Sequence, residues 1–148
     1  MLAMLRDLVA HKWHANAALL GAIRQNEGAV SDSEISNLLH HILIANRFWL
    51  LTTLGLPFVL DDESRPAGSF GALVRRYART QADEEAWLET ATDSALERIL
   101  EGPLIPHGAC SVSHAFMFAS VVALRESQRS GAMIAARSQD RRGASLLP

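Results

Sequence analysis

In the first long segment the apolar residues Leu2, Leu5, Val9, Trp13, Leu20 and Ile23 return at helical steps. Side chains spaced this way share one face of a helix, and such a face has to be buried against other elements. Asn16 falls in the same stripe, where its amide needs a hydrogen-bonding partner inside the fold. No segment shows a convincing run of strict alternation, and there is no internal repeat, so helices have to build the whole fold.

Glu27-Gly28-Ala29-Val30 reads as a short break. Ser31 and Glu34 then have the spacing of a capping box, which opens a second helix. That helix runs through Ile35, Leu38, Ile42, Ala45, Phe48 and Trp49 to about Leu54, where Gly55 and Pro57 end it. Leu39, Leu43, Ile44, Leu50 and Leu51 lie off this stripe, so the helix is expected to be buried on several sides, a second subunit being one way to cover it.

Residues 56–68 read as a long surface connection, and Ser69 caps a third helix that carries Phe70, Leu73, Val74, Tyr77, Trp87 and Leu88 and ends near Thr92. Residues 93–100 suggest a short extra helix and residues 101–108 a loop. Ser111 or Ser113 caps the last long helix, which is expected to reach about Arg137. Four long helices of this kind predict an all-α, up-and-down four-helix bundle in a single domain over residues 1–148.

Composition supports one packed domain. The chain has 148 residues, 49% hydrophobic and 20% charged, enough to bury a core. Its formal charge of -2 supplies no field for nucleic acid or an anionic membrane surface. The basic groups Arg75, Arg76 and Arg79, and Arg137, Arg141 and Arg142, each have acidic neighbours and read as solvated helix faces. A single cysteine, Cys110, excludes an intrachain disulfide framework and fits a reducing cytoplasm. No apolar run approaches the roughly 20 residues of a membrane span, and Arg6 and Asp7 interrupt the first apolar stretch, so a cytoplasmic protein is expected.

Glycine-rich phosphate loops, Cys-x-x-Cys, Gly-x-Ser-x-Gly and His-Glu-x-x-His are all absent. What remains for chemistry is six histidines, His11, His14, His40, His41, His107 and His114. His11 and His14 are spaced for one side of a helix, but two nitrogens alone make a poor metal site. His41, beside Leu38, Ile42 and Ala45, is expected to point inward, either as a hydrogen-bonded core residue or as a metal ligand.

The stretch Leu38-Leu39-His40-His41-Ile42-Leu43-Ile44-Ala45-Asn46-Arg47-Phe48-Trp49-Leu50 resembles the second helix of the DinB/YfiT-like families, where a metal-binding histidine precedes an aliphatic run and a tryptophan. The resemblance extends from the Trp13–Leu20 region to Ser69-Phe70, and it implies the same bundle with His41 in the ligand position. The family's last helix typically carries His-x-x-x-His-Arg-Gly-Gln. The matching segment here begins Leu124-Arg125-Glu126-Ser127-Gln128-Arg129. Leu124 has no donor atom, and the neutral amide of Gln128 binds nickel or zinc weakly beside an imidazole. His114 lies on the order of 15 Å along the helix from position 124 and cannot fill that place without a register shift.

Two readings follow. The resemblance implies metal-assisted thiol transfer or isomerisation, in which nickel, zinc or iron would sit near His41 and Arg129 would hold an anionic substrate. The missing ligands favour the other reading, to which metal-assisted chemistry is the alternative: a metal-free homodimeric bundle without a cofactor, which binds a small molecule or a partner in a pocket formed by His41, Trp49, Leu124, Gln128 and Arg129, or has that pocket filled by side chains.

Overall fold

The computed structural model describes residues 1–102, 105 and 108–144. Pro103, Pro106 and His107 of the expected loop lie outside that set. So do the side chains of Leu124, Arg137, Arg141 and Arg142. The elements are α1 (Leu2–Arg24), α2 (Glu27–Val30), α3 (Ser33–Leu54), α4 (Leu60–Glu63), α5 (Phe70–Thr90), α6 (Asp93–Glu97), β1 (Ile99–Glu101), β2 (Ala109–Ser111) and α7 (Val112–Ala144). The four long helices α1, α3, α5 and α7 form the expected all-α bundle.

Local chemistry sets most of the boundaries. Asp32, rather than Ser31, caps α3: its carboxylate accepts from the backbone N–H groups of Glu34 and Ile35 at 2.9 and 3.1 Å. Ser31 instead donates to the Glu27 carbonyl at 3.0 Å and helps close α2, the single turn that occupies the expected break. Gly55 ends α3 at φ 70, a left-handed conformation that favours glycine. Ser69 caps α5 by accepting from the Ala72 N–H. Ser111 accepts from the His114 N–H at 3.3 Å at the start of α7, which continues past the expected end at Arg137 to Ala144.

Three elements were not anticipated: α4, a single turn within the expected surface connection, and the strands β1 and β2, the first of which begins just after the expected short helix over residues 93–100 stops early, at Glu97. β1 and β2 pair antiparallel, with Leu100 opposite Cys110. Strands of three residues are too short to show a period, and only Leu100 in β1 is buried.

Helix directions follow from the contacts. Tyr77 bonds the Leu39 carbonyl, and one heptad later on both helices Glu84 and Asn46 share Lys12 as a partner, so α3 and α5 run parallel. Lys12 meets Glu84, Arg6 reaches the Leu88 carbonyl and the Leu2 N–H reaches Asp93, so α1 runs against α5. The Val112 N–H donates to the Arg98 carbonyl, and the Arg98 guanidinium to the Thr53 carbonyl, which starts α7 beside the end of α3. Alternation therefore holds across α1–α3 and α5–α7, while α3–α5 is a parallel pair joined by a crossover, which corrects the up-and-down order expected from the sequence at that one connection.

That crossover, residues 55–69, has to travel the length of α3 and is pinned along the way. Phe58 packs edge-on against Phe48, with ring centres 5.2 Å apart. Arg47 holds the Glu63 carboxylate with both arms, Nε at 2.5 Å and Nη2 at 2.7 Å. Arg76 donates to the Glu63 and Arg65 carbonyls at 3.0 Å each, and His40 Nε2 donates to the Ser64 carbonyl, also at 3.0 Å.

α7 packs against both α1 and α3. Ala115, Ala119 and Ala123 are buried along α7, and small side chains at this spacing let neighbouring helices come close. Phe116 stacks on Trp87 of α5 at 4.8 Å, which closes the layer at the other side. The off-stripe residues Leu39, Leu43 and Leu50 are buried within the chain itself. α3 is flanked by α5 and α7, so the breadth of its apolar face needs no second subunit.

Two outcomes are expected. Asp32→Ala should cost about 1 kcal/mol in urea denaturation, whereas Ser31→Ala should change stability by less than about 0.5 kcal/mol; equal effects would contradict the cap assignment. The Arg47 hydrogen bonds hold the Glu63 carboxyl below its usual range. The unfolded chain then binds the proton first as pH falls, so the stability difference between wild type and Glu63→Gln should be full at neutral pH and shrink below about pH 4.5. A difference that persists in acid would show that the ion pair is not its source.

Candidate functional site

Three polar side chains occupy core positions at one level of the bundle. Lys12 on α1 is 0% exposed, Glu84 on α5 1% and Asn46 on α3 1%. Each stands in a buried three-and-four spacing: Leu5, Val9, Lys12, Asn16, Leu19 on α1; Leu39, Ile42, Asn46, Trp49 on α3; Leu73, Tyr77, Thr80, Glu84, Leu88 on α5. An ammonium and a carboxylate taken fully out of water are tolerated only when each is paired and hydrogen-bonded.

That condition is met. Lys12 Nζ donates to Glu84 Oε1 at 2.8 Å and Oε2 at 2.7 Å, and to Asn46 Oδ1 at 3.2 Å, which matches its three protons with three acceptors. Asn46 Nδ2 donates to the Ile42 carbonyl at 2.9 Å, which turns the amide oxygen toward the ammonium. Trp13 Nε1 donates to Glu84 Oε2 at 2.6 Å, and the Lys12 ammonium lies 4.8 Å from the centre of the Trp13 ring. Trp13 in turn meets Tyr77 edge-on, and the Tyr77 hydroxyl donates to the Leu39 carbonyl at 2.7 Å.

Burial pushes the Lys12 ammonium below the usual lysine range, against the opposing pull of Glu84. Burial also drives the Tyr77 phenol above its ordinary range, so it serves as a neutral donor. The cluster ties three of the four long helices together. Its polar atoms are engaged with one another or with backbone carbonyls, and Trp13 and Tyr77 are the members that also line surface clefts.

Those clefts open along the α1–α5 seam, on either side of Trp13. One, of about 250 Å³, is walled by Trp13, Asn16 and Leu20 from α1 and by Val74, Tyr77 and Ala78 from α5, with Arg24 and Gln81 also in its lining. The other, of about 470 Å³, lies between Arg6, Val9 and Ala10 on α1 and Glu85, Leu88 and Glu89 on α5. Two further clefts lie elsewhere. One is formed where α3 and α5 begin, and one holds Arg47, Arg76 and Arg79 over the crossover.

The residues expected to form a pocket sit differently. His41 is exposed, which corrects the inward orientation read from its neighbours. The buried face of α3 runs through Leu39, Ile42, Leu43 and Asn46, and His41 lies about 200° around the helix from Leu39 and Leu43. Trp49 is in the core, while Gln128 and Arg129 are exposed on α7. The side chain of Leu124 lies outside the described residues. None of the four clefts is lined by His41, Trp49, Gln128 or Arg129. His11, His14 and His114 are exposed, and His40 is half-buried under the crossover. Asn16 is buried in the α1 stripe as expected.

Apolar periodicity does not single out Lys12 or Glu84, although the sequence holds a signal for the first. Lys12 is the chain's single lysine, every other basic side chain being arginine, and it stands in the α1 stripe where an apolar residue is expected.

The fold and this centre define a helical bundle built around a buried ion pair. The chain belongs to the DinB superfamily, whose family model matches residues 5–121. No curated protein and no solved structure matches it. The match ends before Leu124 and Gln128, the positions where further metal ligands would be sought. Among the described residues no group of three or more His, Cys, Asp or Glu side chains is placed to hold a metal ion. The positions to which the sequence resemblance would give metal ligands carry one exposed imidazole, an aliphatic side chain and a neutral amide, of which the imidazole alone is a strong donor to a divalent metal.

Truncating either partner of the buried pair leaves the other as an uncompensated charge. Lys12→Met and Glu84→Leu should therefore each cost roughly 3–5 kcal/mol in denaturant titrations, with most of the loss recovered in the double variant. Additive losses would contradict a direct pair.

Proposed function

We propose that this DinB-like chain is a metal-independent bundle that binds a small molecule in the α1–α5 seam beside Trp13. One observation carries the reading. Two clefts flank a tryptophan whose indole is fixed from beneath by the Lys12–Glu84 pair, so the wall is rigid while the seam is open. A preformed, largely apolar cleft with a few placed polar groups is the usual form of a small-molecule site. Trp13, Val74 and Tyr77 offer flat apolar contact, and Asn16, Gln81 and Arg24 offer polar contact.

The reading moves the ligand away from His41, Gln128 and Arg129 and gives catalysis no role for a divalent ion. It keeps a cytoplasmic protein that does not bind nucleic acid. A homodimer remains part of it, supported by exposed Leu54, Leu56 and Ile99 near the end of α3, where Arg98 ties β1 to the Thr53 carbonyl. Among the described residues no helix is long and apolar enough to cross a membrane.

Ala78 is exposed on the rim, so Ala78→Trp should fill the smaller cleft without disturbing the core. Saturable one-to-one binding of anilinonaphthalene sulfonate, followed by fluorescence, should be lost in that variant; unchanged binding would move the ligand elsewhere. Metal analysis of untagged protein should find no stoichiometric ion. Stoichiometric nickel, zinc or iron lost on His41→Ala would instead support metal-assisted thiol transfer. Light scattering should give twice the chain mass, and a monomer at all concentrations would remove the dimer.

A further inference from the structure

The cleft over the crossover holds more positive charge than pinning the chain requires. Arg47 grips Glu63 with two parallel N–H···O bonds, the geometry by which arginine also receives phosphate. Arg76 reaches the same carboxylate only at 3.4 Å and directs its shorter bonds to backbone carbonyls. Arg79 is exposed in the same cleft, which measures about 510 Å³. Of the remaining acids there, Asp62 is paired with Arg65 at 3.6 Å, which leaves Glu63 and Asp83 facing three guanidinium groups.

We propose that Arg47, Arg76 and Arg79 form a binding site for a phosphate group, either inorganic phosphate or a small phosphate monoester, and that Glu63 is its internal occupant, displaced when the ligand enters. Charge and geometry select phosphate over a carboxylate. With Glu63 swung out, three guanidinium groups face Asp83 alone, an excess that a phosphate dianion neutralises and a monocarboxylate does not. A carboxylate would also compete on equal chemical terms with a tethered Glu63, whose effective concentration is on the order of millimolar. Phosphate adds a third acceptor oxygen, enough to take the Arg47 fork and Arg76 together.

Glu63 lies on α4, so its release removes one anchor of the crossover while the Phe58 and Ser64 contacts stay. Phosphate binding is thereby coupled to loosening of the segment around Arg65, and the coupling is reciprocal. The site is separate from the α1–α5 clefts and does not depend on them.

The test is calorimetric titration with inorganic phosphate and with phenyl phosphate at constant ionic strength, with acetate as the carboxylate control. Glu63→Gln should bind phosphate at least tenfold more tightly than wild type, and Arg47→Gln in that background should abolish the gain. Tighter binding of phenyl phosphate would identify a monoester, and equal binding inorganic phosphate. In wild type, added phosphate but not acetate should speed amide hydrogen exchange across residues 60–65, followed by mass spectrometry, a readout that stands even if a variant fails to fold. A folded Glu63→Gln protein that binds phosphate no better than wild type, or exchange across residues 60–65 indifferent to phosphate, would overturn the proposal. The Ala78→Trp variant should bind phosphate as wild type does, so failure of the cleft reading and failure of this one are distinguishable.

Discussion

Everything in this bundle is arranged around one ammonium–carboxylate pair placed where water cannot reach it. Lys12 and Glu84 come from antiparallel helices, and Asn46 from a third helix completes the ammonium's set of acceptors. A pair of this kind is weak evidence for added stability, because removing two charges from water offsets most of their attraction. Its physical consequence is specificity of register. Sliding α1 by one turn against α5 would strand both charges in the core, so the alignment of three helices is fixed at a single level. The Trp13 indole is fixed with it through Glu84, which is why a cleft wall at the surface inherits the rigidity of the interior.

The parallel run of α3 and α5 follows the same logic. Aligning Asn46 with Glu84 brings Leu39 to Tyr77, and the chain between these helices then has to return along the bundle. Such a crossover has no core of its own and is held by side chains reaching out from α3 and α5: Phe48, Arg47, Arg76 and His40. The charged cleft and the α1–α5 seam thus share one cause. A register chosen in the core decides where the surface stays open and where it is strapped shut.

Helix existence was readable from the sequence because three-and-four apolar spacing, Ser69 and Gly55 act locally and need no tertiary partner. The family could be seen in the run from Leu38 to Leu50. The site was harder to see. His41 was assigned inward because its immediate neighbours are apolar, yet α3 is buried on a broad face flanked by two helices, and a residue one position from Ile42 can still point to solvent. Trp49 sits in the core where a pocket wall was expected. The apolar members of the α1 stripe do not by themselves reveal Lys12 among them. A lysine is ordinarily a surface residue, and only the carboxylate of Glu84, distant in sequence and close in space, explains its place. The β1–β2 pairing escaped for a similar reason, since three residues carry no period and the pairing partner is non-local.

The most direct measurement uses the fact that Lys12 is the single lysine in the chain. An amine-reactive acylating reagent, followed by mass spectrometry, should modify the N-terminus of the native protein rapidly and Lys12 only at the rate of unfolding, with full reactivity regained in denaturant. Labelling of Lys12 in the folded protein at the rate of a free surface lysine would show that its ammonium is not buried against Glu84, and the register argument would fall with it.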